Sequence, residues 1–174
     1  MKTNCSLKPL IIFTAISILP TVAAAKLPQP LQTPSSPQSS AVCTPENLVG
    51  VWKNDIDSVM RIKKIEALKN TPDGLIFSGS YVSPSGTDSQ QNQMFGTANY
   101  SKPKADKKDN ALVLTFNVNW GKFGSVTAWT GTCRIKDGKP FINTVWNLAR
   151  PNTDYHWDHV FTGYNYFKKT GDIP

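Results

Sequence analysis

The sequence has few cysteines, few histidines and little charge, and each scarcity excludes a class of protein. Its 174 residues include three cysteines, which allow at most one disulfide and exclude a disulfide-rich scaffold. The two histidines, His156 and His159, lie far from the cysteines in sequence and share no zinc-type spacing with them, so we expect no metal site. Charged residues make up 18%, too few for a coiled coil or a chain disordered throughout, and 11 glycines exclude a collagen-like repeat.

A long apolar run occurs at the N-terminus. Residues 9–19 follow the basic Lys2 and Lys8 and precede the small residues at 21–25. This pattern is typical of a secretory signal peptide, residues 1–25, cleaved after Ala25. A retained anchor is the alternative, although the run falls short of the roughly 20 residues that a membrane span needs. We therefore expect a secreted or periplasmic protein with no membrane segment after cleavage.

Removal of the signal peptide leaves Cys43 and Cys133, and two cysteines in an exported chain predict one disulfide. Residues 26–42 are rich in Pro, Ser and Gln and predict a disordered leader. One folded domain is expected over residues 43–169, with a short tail at 170–174. The net charge of +7 suits a polyanionic partner or simple solubility.

No segment after residue 42 has a convincing helical stripe, and eight short runs between turn residues predict strands. Turn-forming sequences such as Asn70–Gly74 and Lys136–Lys139 separate the runs, and every connection is short. Consecutive strands should therefore pair, which predicts an all-β, eight-stranded antiparallel up-and-down (meander) β-barrel. The predicted strands are 48–54, 58–65, 75–83, 91–98, 110–120, 125–135, 140–148 and 157–168.

Alternate residues of these strands place aromatic and small polar side chains on one face. That face is apolar at one end of the strands and mixes Trp, Tyr, Ser, Thr and Asn at the other. An eight-stranded barrel is just wide enough to hold one small ligand. The pattern predicts a preformed site for a small polar heterocycle with an apolar tail. The alternative is a barrel core whose polar groups bond the backbone or water.

Several stretches with these residues resemble the avidin and streptavidin family of biotin-binding proteins. The resemblance extends over about residues 43–169, in order and with similar gaps. The matching stretches are Gly50–Ser58 with Met60, Ser78–Tyr81, Phe116–Trp120, Ser125–Gly131, Thr144–Leu148, and Trp157 followed by Gly163–Phe167. The resemblance implies a non-enzymatic protein that binds biotin tightly, needs no cofactor, and forms a homo-oligomer, expected to be a tetramer.

The resemblance also implies a role for each site residue. Donors to the ureido oxygen of biotin would be Asn54, Ser58 and Tyr81, and acceptors from its N–H groups would be Ser83 and Asn165. Thr127 would face the thioether sulfur, while Ser125 and the loop around Ser85, Gly86 and Thr87 would hold the carboxylate. The ring would be walled by Trp120, Trp129 and Trp146, with lesser contacts from Leu148 and Ile56. Trp157 would come from a neighbouring subunit, or would alternatively plug its own barrel.

Two positions depart from the family pattern. Asp57 stands where the family usually has glycine, and an aspartate tolerates the left-handed turn better than most residues but brings a charge near the ureido pole. Asn165 is an amide where some members have a carboxylate. The Pro84–Asp88 loop has no close match, so its carboxylate contacts stay unassigned.

Three other functions are weighed against biotin binding. His156–His159 is the one cluster suggesting catalysis, but no serine or cysteine motif accompanies it, so we expect no enzyme. A barrel for single-stranded nucleic acid would need its aromatics among lysines. Here Lys102, Lys104, Lys107 and Lys108 cluster in a loop, away from the inward-facing tryptophans, so we expect no nucleic-acid partner. A lipocalin-like barrel for another ligand stays open.

Overall fold

The computed structural model describes residues 42–84, 90–104, 106–107 and 109–173. The predicted signal peptide, the leader up to residue 41 and the loop residues Ser85, Gly86 and Thr87 lie outside the described residues. No helix in the described ranges is long and apolar enough to cross a membrane.

Eight antiparallel strands form one closed barrel, which confirms the predicted fold. Each strand pairs with its neighbours in chain order, and β1 closes the barrel against β8, with Asn54 opposite Phe167. The strands are β1 (Gly50–Asn54), β2 (Val59–Ala67), β3 (Gly74–Val82), β4 (Asn92–Asn99), β5 (Leu112–Trp120), β6 (Ser125–Lys136), β7 (Lys139–Ala149) and β8 (Val160–Gly171).

Two predicted strands were wrong to begin in segments that are helical. Leu48 ends a short helix, α1 (Pro45–Leu48), because Pro45 suits a first helical turn and the buried indole of Trp52 donates a 2.8 Å hydrogen bond to the Leu48 carbonyl. Trp157 lies in a 3-10 helix (His156–His159) rather than in β8. The Asp158 amide donates to the Tyr155 carbonyl at 3.0 Å, closing that turn. Trp157 therefore does not share the strand alternation of Asn165.

One end of the barrel, which we call the lower end, is packed with apolar side chains. Trp52, Phe77, Phe116 and Phe167 are essentially fully buried there, and Leu48 of α1 packs with them. Cys43 forms the predicted disulfide with Cys133 of β6, with 5.6 Å between the Cα atoms. This end is therefore closed.

Four connections meet at the opposite end, which we call the mouth. They join β1 to β2, β3 to β4, β5 to β6 and β7 to β8. Antiparallel pairing brings these connections together because each begins where one strand ends and finishes where the next begins. The polar ends of the inward-facing rows consequently converge on one space.

Candidate ligand-binding site

A cavity of about 290 Å³ opens at the mouth. Small-molecule sites usually begin at roughly 300 Å³, so the space suits one small ligand. Its walls come from β3 to β8 and the adjoining connections. The lining residues are Ile56, Ser58, Tyr81, Ser83, Gln90, Asn92, Trp120, Lys122, Phe123, Ser125, Thr127, Trp129, Trp146, Leu148 and Asn165.

The structure brings together eleven of the thirteen described residues that were expected to contact a ligand. Asn54 lies directly behind the lining, and Trp157 lies outside the cavity. Four lining residues were not anticipated: Gln90, Asn92, Lys122 and Phe123. Asn92 pairs with Tyr81 across β3 and β4, so a correct strand register would have identified it. Lys122 and Phe123 belong to a short 3-10 helix (Gly121–Phe123), where strand alternation gives no signal.

Asn54, Ser58 and Tyr81 form the innermost polar end of the cavity, which we call the polar pole. Asn54 determines the shape of this pole. Its side-chain oxygen accepts hydrogen bonds from the backbone amides of Ile56 (3.2 Å) and Ser58 (2.7 Å). Its side-chain nitrogen donates to the Tyr81 hydroxyl at 3.3 Å. Asn54 thus fixes the β1–β2 turn and orients Tyr81 from behind.

The Ser58 hydroxyl is fully buried and has no hydrogen-bond partner of good geometry among the described residues. An unpartnered buried hydroxyl costs about 1–3 kcal/mol, and native proteins carry few of them. Burial raises the pKa of Tyr81 to about 12; a weak hydrogen bond from the Ser58 hydroxyl to the phenolic oxygen partly lowers this pKa, and the Asp55 carboxylate adds to the rise. Both hydroxyls are therefore neutral at pH 7, and each can donate to an acceptor in the cavity.

Asp57 occupies the left-handed conformation expected of it, with φ 63°. Its carboxylate forms a 2.8 Å ion pair with Lys53, and the Asp57 side chain is 74% exposed. The charge therefore points into solvent, and the turn that holds Ser58 is retained without a glycine.

Asn165 has a fixed orientation at the side of the cavity. Its side-chain oxygen accepts from the Trp129 indole N–H at 3.0 Å, and its nitrogen donates to the Asp55 carboxylate at 3.4 Å. An amide oxygen has two lone pairs, so one stays available to a ligand N–H group. The Asn165 amide can thus serve as an acceptor for a ligand.

Aromatic rings form the walls of the cavity. Trp129 stacks on Phe116 at 4.8 Å between ring centres and lies 5.1 Å from Tyr81. Trp120 meets Tyr81 edge-on at 5.8 Å and donates its indole N–H to Thr127 Oγ1 at 2.8 Å. Because these two indole N–H groups are bonded within the protein, the rings offer apolar surface to a ligand.

Trp157 does not plug its own barrel. Its side chain is 64% exposed and stacks on Tyr155 at 4.8 Å between ring centres. An exposed aromatic pair next to a cavity is a feature of surfaces that meet a partner.

The closed barrel with one polar and aromatic cavity defines the chain as a small-ligand-binding β-barrel. A family model described as the avidin family matches residues 42–170, so the chain belongs to the avidin family. Its fold is similar to that of xenavidin, at 22% identity and a TM-score of 0.55, covering 71% of this chain and 98% of that one. It is also similar to a biotin binding protein from chicken, at 25% identity and a TM-score of 0.57, with the same coverage. No curated protein matches the chain by sequence.

Proposed function

We propose that the protein binds biotin tightly and without chemical change. The observation that carries this proposal is the buried Ser58 hydroxyl, which has no partner of good geometry among the described residues and lies beside the neutral Tyr81 hydroxyl at the polar pole. A ureido oxygen placed there would accept from Ser58 and Tyr81, with the Asn54 amide behind them. Membership of the avidin family and likeness to a biotin binding protein from chicken support this ligand.

The remaining contacts are proposed from the position of each side chain along the cavity. Ser83 and Asn165 would accept from the two ureido N–H groups, and the tryptophan cage of Trp120, Trp129 and Trp146 would enclose the rings. The ligand's carboxylate would lie at the mouth, near Ser125 and the cationic Lys122. Such a site holds its ligand unchanged, so we infer no catalysis.

The sequence and the disulfide support export of the protein. A disulfide persists in oxidising compartments, and Cys43–Cys133 is formed in the structure. Together with the predicted signal peptide, this supports a secreted or periplasmic location.

We further propose a homotetramer, supported by the outer face of β6, β7 and β8. The part of this face near the mouth consists of paired rows without charge, including Val126–Ala149–Val160 and Thr130–Val145–Tyr164, whereas the row Arg134–Phe141–Lys168 near the other end is charged. Tyr164 is 75% exposed and Val160 is 59% exposed. Such an apolar face gains stability when a symmetric copy covers it, and Trp157 of one subunit would then reach a neighbouring cavity.

Isothermal titration calorimetry with biotin tests both the identity of the ligand and the role of the polar pole in binding it. Ser58→Ala should weaken binding about 5- to 150-fold, the equivalent of about 1–3 kcal/mol, because the ligand loses a donor. The same change should leave the free energy of unfolding of the ligand-free chain unchanged or higher, since a buried unpartnered hydroxyl is removed.

Ser80→Ala is the matched control. Ser80, on β3, is also buried, but its hydroxyl accepts from Gln91 Nε2 at 2.6 Å and does not line the cavity. This variant should bind biotin normally while losing stability. A wild-type dissociation constant weaker than micromolar, about −8 kcal/mol, would reject biotin as the ligand.

A further inference from the structure

The Asn165 amide lies between a group that only donates and a group that only accepts. The Trp129 indole N–H donates to Asn165 Oδ1 at 3.0 Å, and Asn165 Nδ2 donates to Asp55 Oδ1 at 3.4 Å. An indole cannot accept through its N–H and a carboxylate cannot donate, so these two partners allow one orientation of the amide. Asn165 lines the cavity, and its oxygen keeps a second lone pair for a ligand.

The barrel topology explains why a turn residue reaches Asn165. Asn54, the last residue of β1, pairs with Phe167, and Asn165 lies two residues nearer the mouth on the same face of β8. Because β1 ends short of Asn165, the side chain beside it comes from Asp55 in the β1–β2 turn. The Asn54 amide donates to the Ser58 carbonyl at 3.0 Å across this turn. Bonds other than the contact with Asn165 therefore hold the turn in place.

Asp55 supplies what the Asn165 nitrogen needs. Asn165 is only 7% exposed, so its amide nitrogen has little access to water. Among the described residues, no acceptor other than the Asp55 carboxylate bonds this nitrogen. The same carboxylate adds to the rise in the pKa of Tyr81, so its charge also acts at the polar pole. Removal of Asp55 would leave a nearly buried donor without its acceptor.

We infer that Asp55 is a positioning residue, which holds the Asn165 amide with its oxygen toward the cavity, where that oxygen accepts from an N–H group of the ligand. Hydrogen bonds in a chain strengthen one another, so a carboxylate on the amide nitrogen also makes the amide oxygen a better acceptor. The role in ligand binding rests on the function proposed above. The orientation of the amide is a property of the ligand-free chain.

Asp57 provides a matched control in the same turn. Its carboxylate pairs with Lys53 at 2.8 Å, and its side chain is 74% exposed. Asparagine tolerates the left-handed backbone at this position, so Asp57→Asn removes a nearby charge without disturbing the turn. An effect of turn charge in general would appear in variants of both aspartates, whereas a positioning role would appear in Asp55 variants alone.

Nuclear magnetic resonance of the Asn165 side-chain amide in the ligand-free protein tests the orientation. With the signal assigned by Asn165→Ala, one Nδ2 proton should resonate downfield because it bonds a carboxylate. Asp55→Ala should remove this shift, Asp55→Asn should retain part of it through its own amide oxygen, and Asp57→Asn should leave it unchanged. An amide signal that is the same in wild type and Asp55→Ala would overturn the inference.

Biotin titration tests the consequence for binding. Asp55→Ala should weaken binding roughly 5- to 10-fold, the ordinary worth of one hydrogen bond, and Asp55→Asn should recover most of the loss. In an Asn165→Ala background, Asp55→Ala should change affinity by less than about twofold, because its effect passes through Asn165. Losses that add, or wild-type affinity in Asp55→Ala, would overturn the positioning role. A wild-type chain that fails to bind biotin would instead reject the proposed ligand, and the amide signal would still decide whether Asp55 orients Asn165.

Discussion

Tyr81 is a titratable residue that is almost fully buried. Its ring lies against Trp120, Trp129 and Phe167, and its hydroxyl accepts from Asn54. Burial is the main cause of its raised pKa, because an ionised phenolate would lose its hydration. The folded chain therefore keeps the phenolic proton under conditions in which the unfolded chain releases it.

This difference predicts a loss of stability in alkali. The pKa of Tyr81 is about 12 in the folded chain against the ordinary value of 10.0, so the folded state binds more protons between these two values. The free energy of unfolding is unaffected below pH 10 and falls as the pH rises to 12, by up to roughly 3 kcal/mol. Denaturant unfolding of wild type and Tyr81→Phe across this range should show the loss in wild type alone.

Tyr164→Phe is the control for this measurement. Tyr164 is a strand tyrosine that is 75% exposed. Its substitution should leave the alkaline loss in place. Equal pH profiles for wild type and Tyr81→Phe would show that Tyr81 does not cause it.

At the residue scale, alternation along the strands identified the cavity walls, because one face of a closed barrel must point inward. The pattern could not show which hydrogen-bond partners the side-chain amides take within the protein. Asn54 was expected to donate to a ligand, and its oxygen also holds the β1–β2 turn. Such bonds depend on side-chain orientation, which strand periodicity does not encode.

At the scale of the element, β8 has a glycine where the Trp146 ring of β7 lies directly against its backbone. A Cβ at Gly163 would come within 2.4 Å of the Trp146 ring, which lines the cavity from the paired position on β7. The glycine thus sets where one wall of the cavity stands.

Gly163→Ala should displace Trp146 and weaken ligand binding by more than tenfold while the barrel still folds. Biotin titration with circular dichroism as the folding check measures both effects. Gly138→Ala, in the β6–β7 turn at the far end, meets no neighbouring atom but has φ 73°, so it should lose stability without losing affinity. Equal affinities for wild type and Gly163→Ala would contradict the predicted role.

The predicted disulfide joins two elements distant in sequence. Cys43 and Cys133 are 90 residues apart, so the bond restricts the unfolded chain over a long loop. The double change to alanine should lower the free energy of unfolding by about 2–4 kcal/mol. It should leave affinity unchanged at 25 °C, because the bond lies at the closed end of the barrel. Guanidinium unfolding and biotin titration check the two expectations, and a free thiol pair in the unreduced wild type would contradict them.

Strand ends were predicted less well than strands, for a physical reason. Leu48 was assigned to a strand because Gly50 and β-branched neighbours follow it, and Trp157 was placed at the start of the last predicted strand. Tertiary contacts decide otherwise: the Trp52 indole holds α1, and the His159 ring holds the connection that contains Trp157. Neither contact has a local signature in the sequence.

At the scale of the whole molecule, charge is distributed unevenly around the barrel. The outer face of β6–β8 carries the uncharged rows described above near the mouth, while Arg134 and Lys168 toward its other end, and Lys53 of β1 opposite Lys168, are charged. Burial of the uncharged face requires no ion to leave water, so it is the face best suited to self-association.

Light scattering after size exclusion should give four times the mass of the mature chain. Tyr164→Glu would bury a charge in the proposed interface and should shift the mass toward smaller species. Trp157→Lys should leave the barrel folded and speed biotin release. Phe95→Glu, an exposed aromatic on β4, is the control and should stay tetrameric. A wild-type monomer at micromolar concentration would reject the shared site.

The packed lower end of the barrel has a kinetic consequence. Trp52, Phe77 and Phe167 leave no path through that end, so a bound molecule leaves by the mouth through which it entered. Its residence time is then set by the four connections at the mouth, and substitutions there should act on the dissociation rate far more than on the association rate. Stopped-flow measurement of both rates in a mouth variant such as Phe123→Ala would reveal this asymmetry.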